Sequence, residues 1–259
     1  ADDDATRKTA RALGIEITRG NMRPCADCAA AKAKQKSVPK ISDHVPATEG
    51  ERRIFLDIST VKKPNDLPEV INPNWRIMVD ERTQMKFSAF YAKKNAMVEP
   101  TCVQLNKWKN ADKTVKYIRM DNAGENKKLQ TRSESADWKL DITYEYTARE
   151  TPQQNHLAEL GFAVLANRGR ALLYRANVPR ADRYILWREA FQTATLLDGL
   201  MMMKIDGVTK TRCEHLFGSN PEFSKHLRFW GEAGVVKVKN KTTPKLADRG
   251  VQCMMIGYA

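Results

Sequence analysis

Three carboxylic acids stand in sequence contexts suited to divalent cations. Asp57 interrupts the apolar run Ile54–Ile58, Asp121 ends an alternating stretch, and Glu159 follows Asp121 by 159 − 121 = 38 positions. An ionised carboxylate within an apolar run costs free energy unless it is paired or binds a metal. Two divalent cations held by carboxylates activate an oxygen nucleophile and stabilise a leaving oxygen. The three acids together predict metal-dependent phosphoryl transfer, although any one alone would suit a solvated or salt-bridged surface group.

Hydrophobic periodicity predicts the elements that carry these acids. Asp57 belongs to the first of three consecutive strands, Asp121 follows a later strand, and Glu159 lies one turn into a helix for which Asn155 suits the N-cap. This order of elements predicts an α/β fold, a ribonuclease H-like mixed sheet with flanking helices. The predicted strands are 53–59, 75–80, 85–91, 114–120 and 142–146, and the predicted helices are 2–13, 96–109, 127–138, 155–174 and 181–203.

The chain is strongly basic. It has 44 Lys+Arg against 31 Asp+Glu, which gives a net charge of +13 at pH 7. Cations placed on phosphates release condensed counterions, so a polyanionic partner, DNA, is expected. A soluble protein that is merely basic is the alternative. No apolar run approaches the roughly 20 residues of a membrane span, and we expect no membrane association.

Five cysteines are present, and only Cys25 and Cys28 lie close together. A lone Cys-x-x-Cys fits half of a zinc site, a redox pair or a chance spacing. The odd number of cysteines favours a reducing compartment, and no signal peptide is recognisable, so we expect a protein that is not secreted.

Longer motifs around the acids resemble the integrase region of Ty1/copia-type LTR retrotransposon polyproteins. In that family the second acid begins an Asp-Asn-Gly-rich turn, and the third follows a Pro-Gln-Gln-Asn segment at the start of a long helix. Ala123 and His156 depart from the usual glycines, and Leu160 departs from the usual arginine. The matching segments are Met120-Asp121-Asn122-Ala123-Gly124-Glu125, Thr151-Pro152-Gln153-Gln154-Asn155-His156-Leu157-Ala158-Glu159, 167–173, 187–190, 217–221, 227–231 and 255–258.

The resemblance implies a polynucleotidyl transferase that carries out 3′ processing and strand transfer of retrotransposon cDNA into host DNA. Asp57, Asp121 and Glu159 would be its catalytic ligands for Mg²⁺ or Mn²⁺. It would act as a homo-oligomer on element cDNA ends and target DNA, in the nucleus after particle assembly in the cytoplasm. The expected DNA contacts are Asn122, Gln153, Gln154, Asn155, Arg168 and Arg170.

The resemblance also implies three regions. Residues 1–46 would be a partial zinc-binding region and linker, in which Cys25 and Cys28 form the second half of a His-His-Cys-Cys site for Zn²⁺. No histidine precedes Cys25, so zinc would require upstream ligands in a longer protein. Residues 47–210 would be the catalytic core with a helical extension, and 211–259 the start of an SH3-like β-module.

Two other functions fit parts of the sequence. One is a catalytically degenerate, element-derived protein that binds DNA. The other is a ribonuclease H-like nuclease acting on RNA–DNA hybrids, which shares the fold. The Pro-Gln-Gln-Asn segment before the third acid favours the integrase over this nuclease.

Overall fold

The computed structural model describes residues 3–17, 47, 50–63, 70–147, 155–237 and 250–258. Three consecutive strands come after the first helix, and helices and further strands follow them. The strands are β1 Arg52–Thr60, β2 Asn74–Asp80, β3 Lys86–Tyr91, β4 Val115–Met120, β5 Thr143–Tyr146, β6 Met202–Ile205, β7 Val208–Thr211, β8 Ala233–Lys237 and β9 Gly250–Met254. The α-helices are α1 Asp3–Ala12, α2 Val98–Asn110, α3 Gly124–Glu134, α4 His156–Arg175, α5 Arg180–Gly199 and α6 Arg212–Phe217, with 3-10 helices at Lys94–Met97 and Glu222–His226.

The main sheet has five strands in the order β3-β2-β1-β4-β5. Pairing is antiparallel between β1 and β2 and between β2 and β3, whereas β1–β4 and β4–β5 are parallel. β1 is therefore the central strand of a mixed sheet, which explains why its sequence is a nearly continuous apolar run.

Helices cover both faces of this sheet. Ile54 and Leu56 of β1 belong to the core beneath α2 and α3, while Phe55 belongs to the core beneath α4 and α5. Successive side chains of a strand alternate between faces, so Asp57 shares the α4 face with Phe55. The predicted mixed sheet with flanking helices is confirmed.

The predicted ends of two helices differ from the observed ends. The helix predicted over 127–138 begins at Gly124 and ends at Glu134. The helix predicted to reach residue 203 ends at Gly199 and is followed by the β6–β7 hairpin. Asp206 and Gly207 turn this hairpin with φ of 48° and 82°. An Asp-Gly pair with positive φ favours a tight hairpin, and that signal outweighs the apolar run before it.

The terminal regions stay as predictions. Cys25 and Cys28 lie outside the described residues, so the zinc site cannot be placed. In the described part of 211–259, β8 and β9 form an antiparallel pair, and the SH3-like module stays a prediction. Across the described ranges, no helix is both long and apolar enough to cross a membrane.

Candidate active site

The first acid lies on the central strand. Asp57 follows Phe55 on the face covered by α4, where the Phe55 ring meets the His156 ring edge-on at 5.7 Å between centroids. One Asp57 carboxylate oxygen accepts a 2.7 Å hydrogen bond from the backbone N–H of Ile58. Asp57 therefore lies on the central strand of the sheet, on the face covered by α4.

The second acid lies beside the first across a parallel strand pair. Phe55 aligns with Arg119 in the last pair of this ladder, and Asp57 and Asp121 each follow that pair by two residues, since 57 − 55 = 121 − 119 = 2. Neighbouring strands lie about 4.8 Å apart, so both acids extend from adjacent positions at one end of the sheet. The fully buried Asn126 donates hydrogen bonds to the Asp121 side chain and to its backbone carbonyl, and thereby orients this carboxylate.

The third acid reaches this end of the sheet through the first turn of α4. Glu159 is the acidic residue of that turn. Asn155 precedes the helix, and its amide Nδ2 donates a 3.2 Å hydrogen bond to the carbonyl of Leu56, next to Asp57. One turn of helix rises only about 5.4 Å, so Glu159 is held near β1.

The three acids influence one another electrostatically. Burial is the main cause that raises the pKa of Asp57 to about 6, and the negative charges of Asp121 and Glu159 raise it further. The Ile58 hydrogen bond and the positive charge of Lys94 act in the opposite direction. Partial burial also raises the pKa of Glu159, although its side chain is solvent-exposed. Asp57 is thus a carboxylate whose ionised form lacks a strong positive partner.

The donor set suits a hard divalent cation. Carboxylate oxygens are the ligands that Mg²⁺ prefers, and the acids come from three separate elements at one end of the sheet. Within the described ranges, however, no three His, Cys, Asp or Glu side chains are gathered closely enough to hold a metal ion.

The predicted DNA contacts near the acids divide into three groups. Asn122 is exposed directly after Asp121, where it can reach a ligand. Asn155 is 5% exposed and uses its amide on Leu56, so it positions α4 rather than facing solvent. It occupies the predicted N-cap position but makes no side-chain cap hydrogen bond. Gln153 and Gln154 lie outside the described residues.

The two predicted arginine contacts have different surroundings. Arg170 is exposed on α4 and hydrogen-bonds the side chain of Asn167. Arg168 is partly exposed, and its guanidinium pairs with Asp198, which is fully buried on α5. Arg168 therefore joins two helices, and this geometry gives a DNA contact at Arg168 no support.

Sequence reasoning missed three residues that matter here. Asn126 orients Asp121, and Lys94 lowers the pKa of Asp57 while pairing with Glu125 at 3.5 Å. Neither residue has a local signal, because both act through contacts made by folding. Asp198 had a signal, since it interrupts the apolar run from Leu196 to Met203, as Asp57 interrupts its own run.

Comparisons with known proteins agree with this geometry. No protein-family model matches the sequence. The chain is 29% identical over 148 residues to the retrovirus-related Pol polyprotein from transposon TNT 1-94 of Nicotiana tabacum. This match covers 56% of the chain but only 10% of the polyprotein, so the chain spans a small part of its relative.

Solved structures of integrase assemblies have a similar fold. A chain of the simian T-cell lymphotropic virus intasome, in complex with PP2A regulatory subunit B56 gamma, matches with a TM-score of 0.50 and 15% identity. That match covers 89% of this chain and 76% of the other. The HTLV-2 integrase catalytic core domain in complex with magnesium matches over 63% of this chain and 95% of that domain, with a TM-score of 0.42 and 15% identity. The resemblance predicted from the motifs is thus confirmed: the chain is similar in sequence to a copia-type transposon Pol polyprotein, and its fold is similar to that of retroviral integrase.

Proposed function

We propose that this chain contains the catalytic part of a retrotransposon integrase, which performs 3′ processing of element cDNA and its strand transfer into host DNA. The observation that carries the proposal is the Asp57 carboxyl group. It lies on the central strand with its pKa raised to about 6 by burial and by Asp121 and Glu159. A cation would relieve this unfavourable charge, which is what a metal-dependent site requires.

Each residue of the site has a distinct task in this proposal. Asp57, Asp121 and Glu159 would hold Mg²⁺ or Mn²⁺, which when bound supplies a more reactive oxygen nucleophile and stabilises the leaving 3′ oxygen. Asn126 keeps the Asp121 carboxylate oriented, and Asn155 keeps α4 against β1. Preorganisation of this kind matters because misplaced ligands lose most of their catalytic effect.

DNA and further copies of the chain are the proposed partners. The net charge of +13 favours binding to polyanions. The matched transposon Pol polyprotein, the intasome, and the dimeric and trimeric forms of the HTLV-2 core support a DNA-integrating oligomer. A nuclear site of action, cytoplasmic particle assembly, and Zn²⁺ at Cys25 and Cys28 with upstream ligands belong to the same proposal.

A strand-transfer assay tests the activity. The chain is incubated with short duplexes carrying element ends, plasmid target and Mg²⁺ or Mn²⁺. We expect Asp57→Asn, Asp121→Asn and Glu159→Gln each to lower product by about a hundredfold or more while DNA binding persists. Asp112→Asn is the matched control, because Asp112 is exposed and its positive φ is tolerated by asparagine.

The alternatives give different results in the same assay. DNA binding without any metal-dependent product from the chain would contradict the proposal and favour the degenerate DNA-binding protein. Cleavage of the RNA strand of a hybrid, with no strand transfer, would favour a ribonuclease H-like nuclease.

Metal binding supplies a second readout. Ligand at ten times its dissociation constant stabilises a fold by about 1.4 kcal/mol, so Mg²⁺ should raise the melting temperature of the native chain. We expect Asp57→Asn to abolish this increase and Asp112→Asn to keep it. Equal increases in the native chain and in Asp57→Asn would exclude Asp57 as a ligand.

A further inference from the structure

A cleft lies along α4, on the same face of the sheet as Asp57. Its volume is about 710 Å³, and its walls come from the end of β1, from β2 and from the facing sides of α4 and α5. Clefts of this size accommodate ligands that are larger than a single ion. The site described above does not use this space.

The cleft is formed by the two elements that carry Asp57 and Glu159, at positions further along each of them. Ser59 lies two residues after Asp57 on the same face of β1, and it lines the cleft. On α4, Ala163, Ala166 and Arg170 line the cleft and follow Glu159 at spacings of 4, 7 and 11 residues, which places them on one helix face. Because a helix rises 1.5 Å per residue, Arg170 lies about 16 Å beyond Glu159.

The lining of the cleft is positively charged. Lys62, Arg170, Arg180 and Arg183 contribute to its walls, and none of its described lining residues is acidic. A cleft lined by one sign of charge focuses its field and concentrates counterions of the opposite sign. The ligand that this surface selects is therefore anionic.

The lining is also aromatic. Tyr174, Tyr184 and Trp187 line the cleft, and the Arg183 guanidinium lies 4.0 Å from the Tyr174 ring centroid. Arg183 also donates a 2.9 Å hydrogen bond to the carbonyl of Val178, which fixes its position. Aromatic rings beside cations are typical of surfaces that bind unpaired nucleotides, since bases stack on rings while phosphates meet the charges.

One buried donor in the wall has no acceptor. Trp187 is 3% exposed, and its indole Nε1–H has no hydrogen-bond partner in the described part of the chain. Buried polar groups are normally hydrogen-bonded, so an unsatisfied donor in a cleft wall indicates a ligand acceptor. Base carbonyls, ring nitrogens and phosphate oxygens can all accept this bond.

We propose that this cleft binds an unpaired nucleotide of the DNA strand that lies a few nucleotides away from the scissile phosphate. The base stacks on the tyrosines, an acceptor of the nucleotide takes the Trp187 hydrogen bond, and the flanking phosphates lie near Lys62 and Arg170. The inference rests on the proposed function, because it assigns the cleft to the DNA on which the carboxylates act. An acidic peptide would satisfy the charges but would leave the aromatic walls without a stacking partner.

Photocrosslinking tests the proposal in metal-free buffer. The chain is mixed with an element-end duplex whose unpaired end carries 5-iodouridine a few nucleotides away from the cleavage position, then irradiated, digested and mapped. We expect crosslinks on Tyr174, Tyr184 or Trp187. Trp187→Phe, which keeps a ring but removes the donor, should weaken binding of this DNA by about twofold to tenfold. Arg170→Ala should lower the salt-dependence slope of binding by about 0.7.

Lys107→Ala is the matched control for charge. Lys107 is exposed on α2, which covers the opposite face of the sheet, so its removal should leave the crosslink yield unchanged. Crosslinks confined to other regions, or a glutamate-rich peptide that binds the cleft in preference to the DNA, would overturn the proposal. So would unchanged DNA binding in a correctly folded Trp187→Phe variant.

The two proposals fail in distinguishable ways. Strand transfer with crosslinks outside the cleft would overturn the cleft assignment and leave the integrase proposal intact. Crosslinks inside the cleft without any metal-dependent product would support nucleotide binding there and overturn the catalytic proposal.

Discussion

Asp57, which is partly buried, and Asp198, which is fully buried, are aspartates with opposite surroundings. Each interrupts an apolar run, and each lies on the side of the sheet packed by α4 and α5. Burial raises the pKa of Asp57, and the negative charges of Asp121 and Glu159 add to this effect. Burial would also raise the pKa of Asp198, but the charges of Lys86, Arg212 and Arg168 outweigh it and lower that pKa.

The difference separates a structural carboxylate from a functional one. Asp198 joins β3, α4 and α6 to α5 through Lys86, Arg168 and Arg212, so its negative charge holds four elements together. Asp57 accepts a backbone hydrogen bond and lies among like charges, so its ionised form opposes folding until a cation binds. The same local sequence pattern can therefore mark either role, and the partners decide which.

Removing the negative charge of Asp198, which three cationic side chains neutralise, should have the largest effect on stability. Asp198→Asn would leave Lys86, Arg168 and Arg212 without the carboxylate that they share, and breaking a buried ion pair costs about 3–5 kcal/mol. We expect a loss of this size in the free energy of unfolding, measured by urea denaturation. Asp182→Asn, at an exposed position of the same helix, should cost less than about 1 kcal/mol. Equal effects of the two substitutions would show that the cluster does not support the fold.

Removing the negative charge of Asp57, which lies among like charges, should stabilise the fold. The pKa of Asp57 is about 6 in the folded chain and about 3.9 in an unfolded one. Asp57→Asn should therefore raise the free energy of unfolding at pH 7 by about 1–3 kcal/mol in metal-free buffer, while strand transfer is lost.

The stability of the native chain relative to Asp57→Asn should change with pH in one direction. As the pH rises from about 4 to about 6, the unfolded chain releases the Asp57 proton before the folded chain does, so native stability falls relative to Asp57→Asn. Above about 6 the difference is constant. Asp198 behaves oppositely, because its folded pKa is lowered and its contribution is lost as the pH falls. Urea denaturation at several pH values measures both trends, and a native chain more stable than Asp57→Asn at pH 7 would contradict the assignment.

A smaller effect is expected at Gly169, which lies next to Arg168 where α4 packs against α5. A Cβ added at Gly169 would lie 2.1 Å from a ring carbon of Phe191. We expect Gly169→Ala to cost about 1–2 kcal/mol in thermal unfolding, because overpacking outweighs the higher helix propensity of alanine. Gly124→Ala is the control, since an added Cβ there meets no atom within 4 Å. A stabilised Gly169→Ala variant would contradict this close packing.

The sequence was sufficient to predict where the strands and helices lie along the chain, but not which strands pair or in which register. The five sheet strands and the long α4 helix have strong local periodicity, so all were predicted near their observed positions. The parallel register that aligns Phe55 with Arg119, two residues before Asp57 and Asp121, joins residues 121 − 57 = 64 positions apart, and no local pattern encodes it.

Contacts made by folding give two of the predicted residues surroundings that the sequence does not show. Asn155 occupies the predicted N-cap, but the carbonyl of Leu56 is close enough to take its amide hydrogen bond. Arg168 is predicted as a DNA contact from its place on α4, and its ion-pair partner Asp198 lies on the next helix. A buried acid is recognisable from sequence, whereas the charges that surround it are not.

The most direct test of the candidate site is the pKa of the Asp57 carboxyl group, measured by ¹³C NMR titration in metal-free buffer. We expect about 6 in the native chain and a lower value in both Asp121→Asn and Glu159→Gln, because each substitution removes a negative charge that raises it. A native value near the ordinary 3.9 or so, or a raised value that neither substitution changes, would contradict the claim that the three acids form one site.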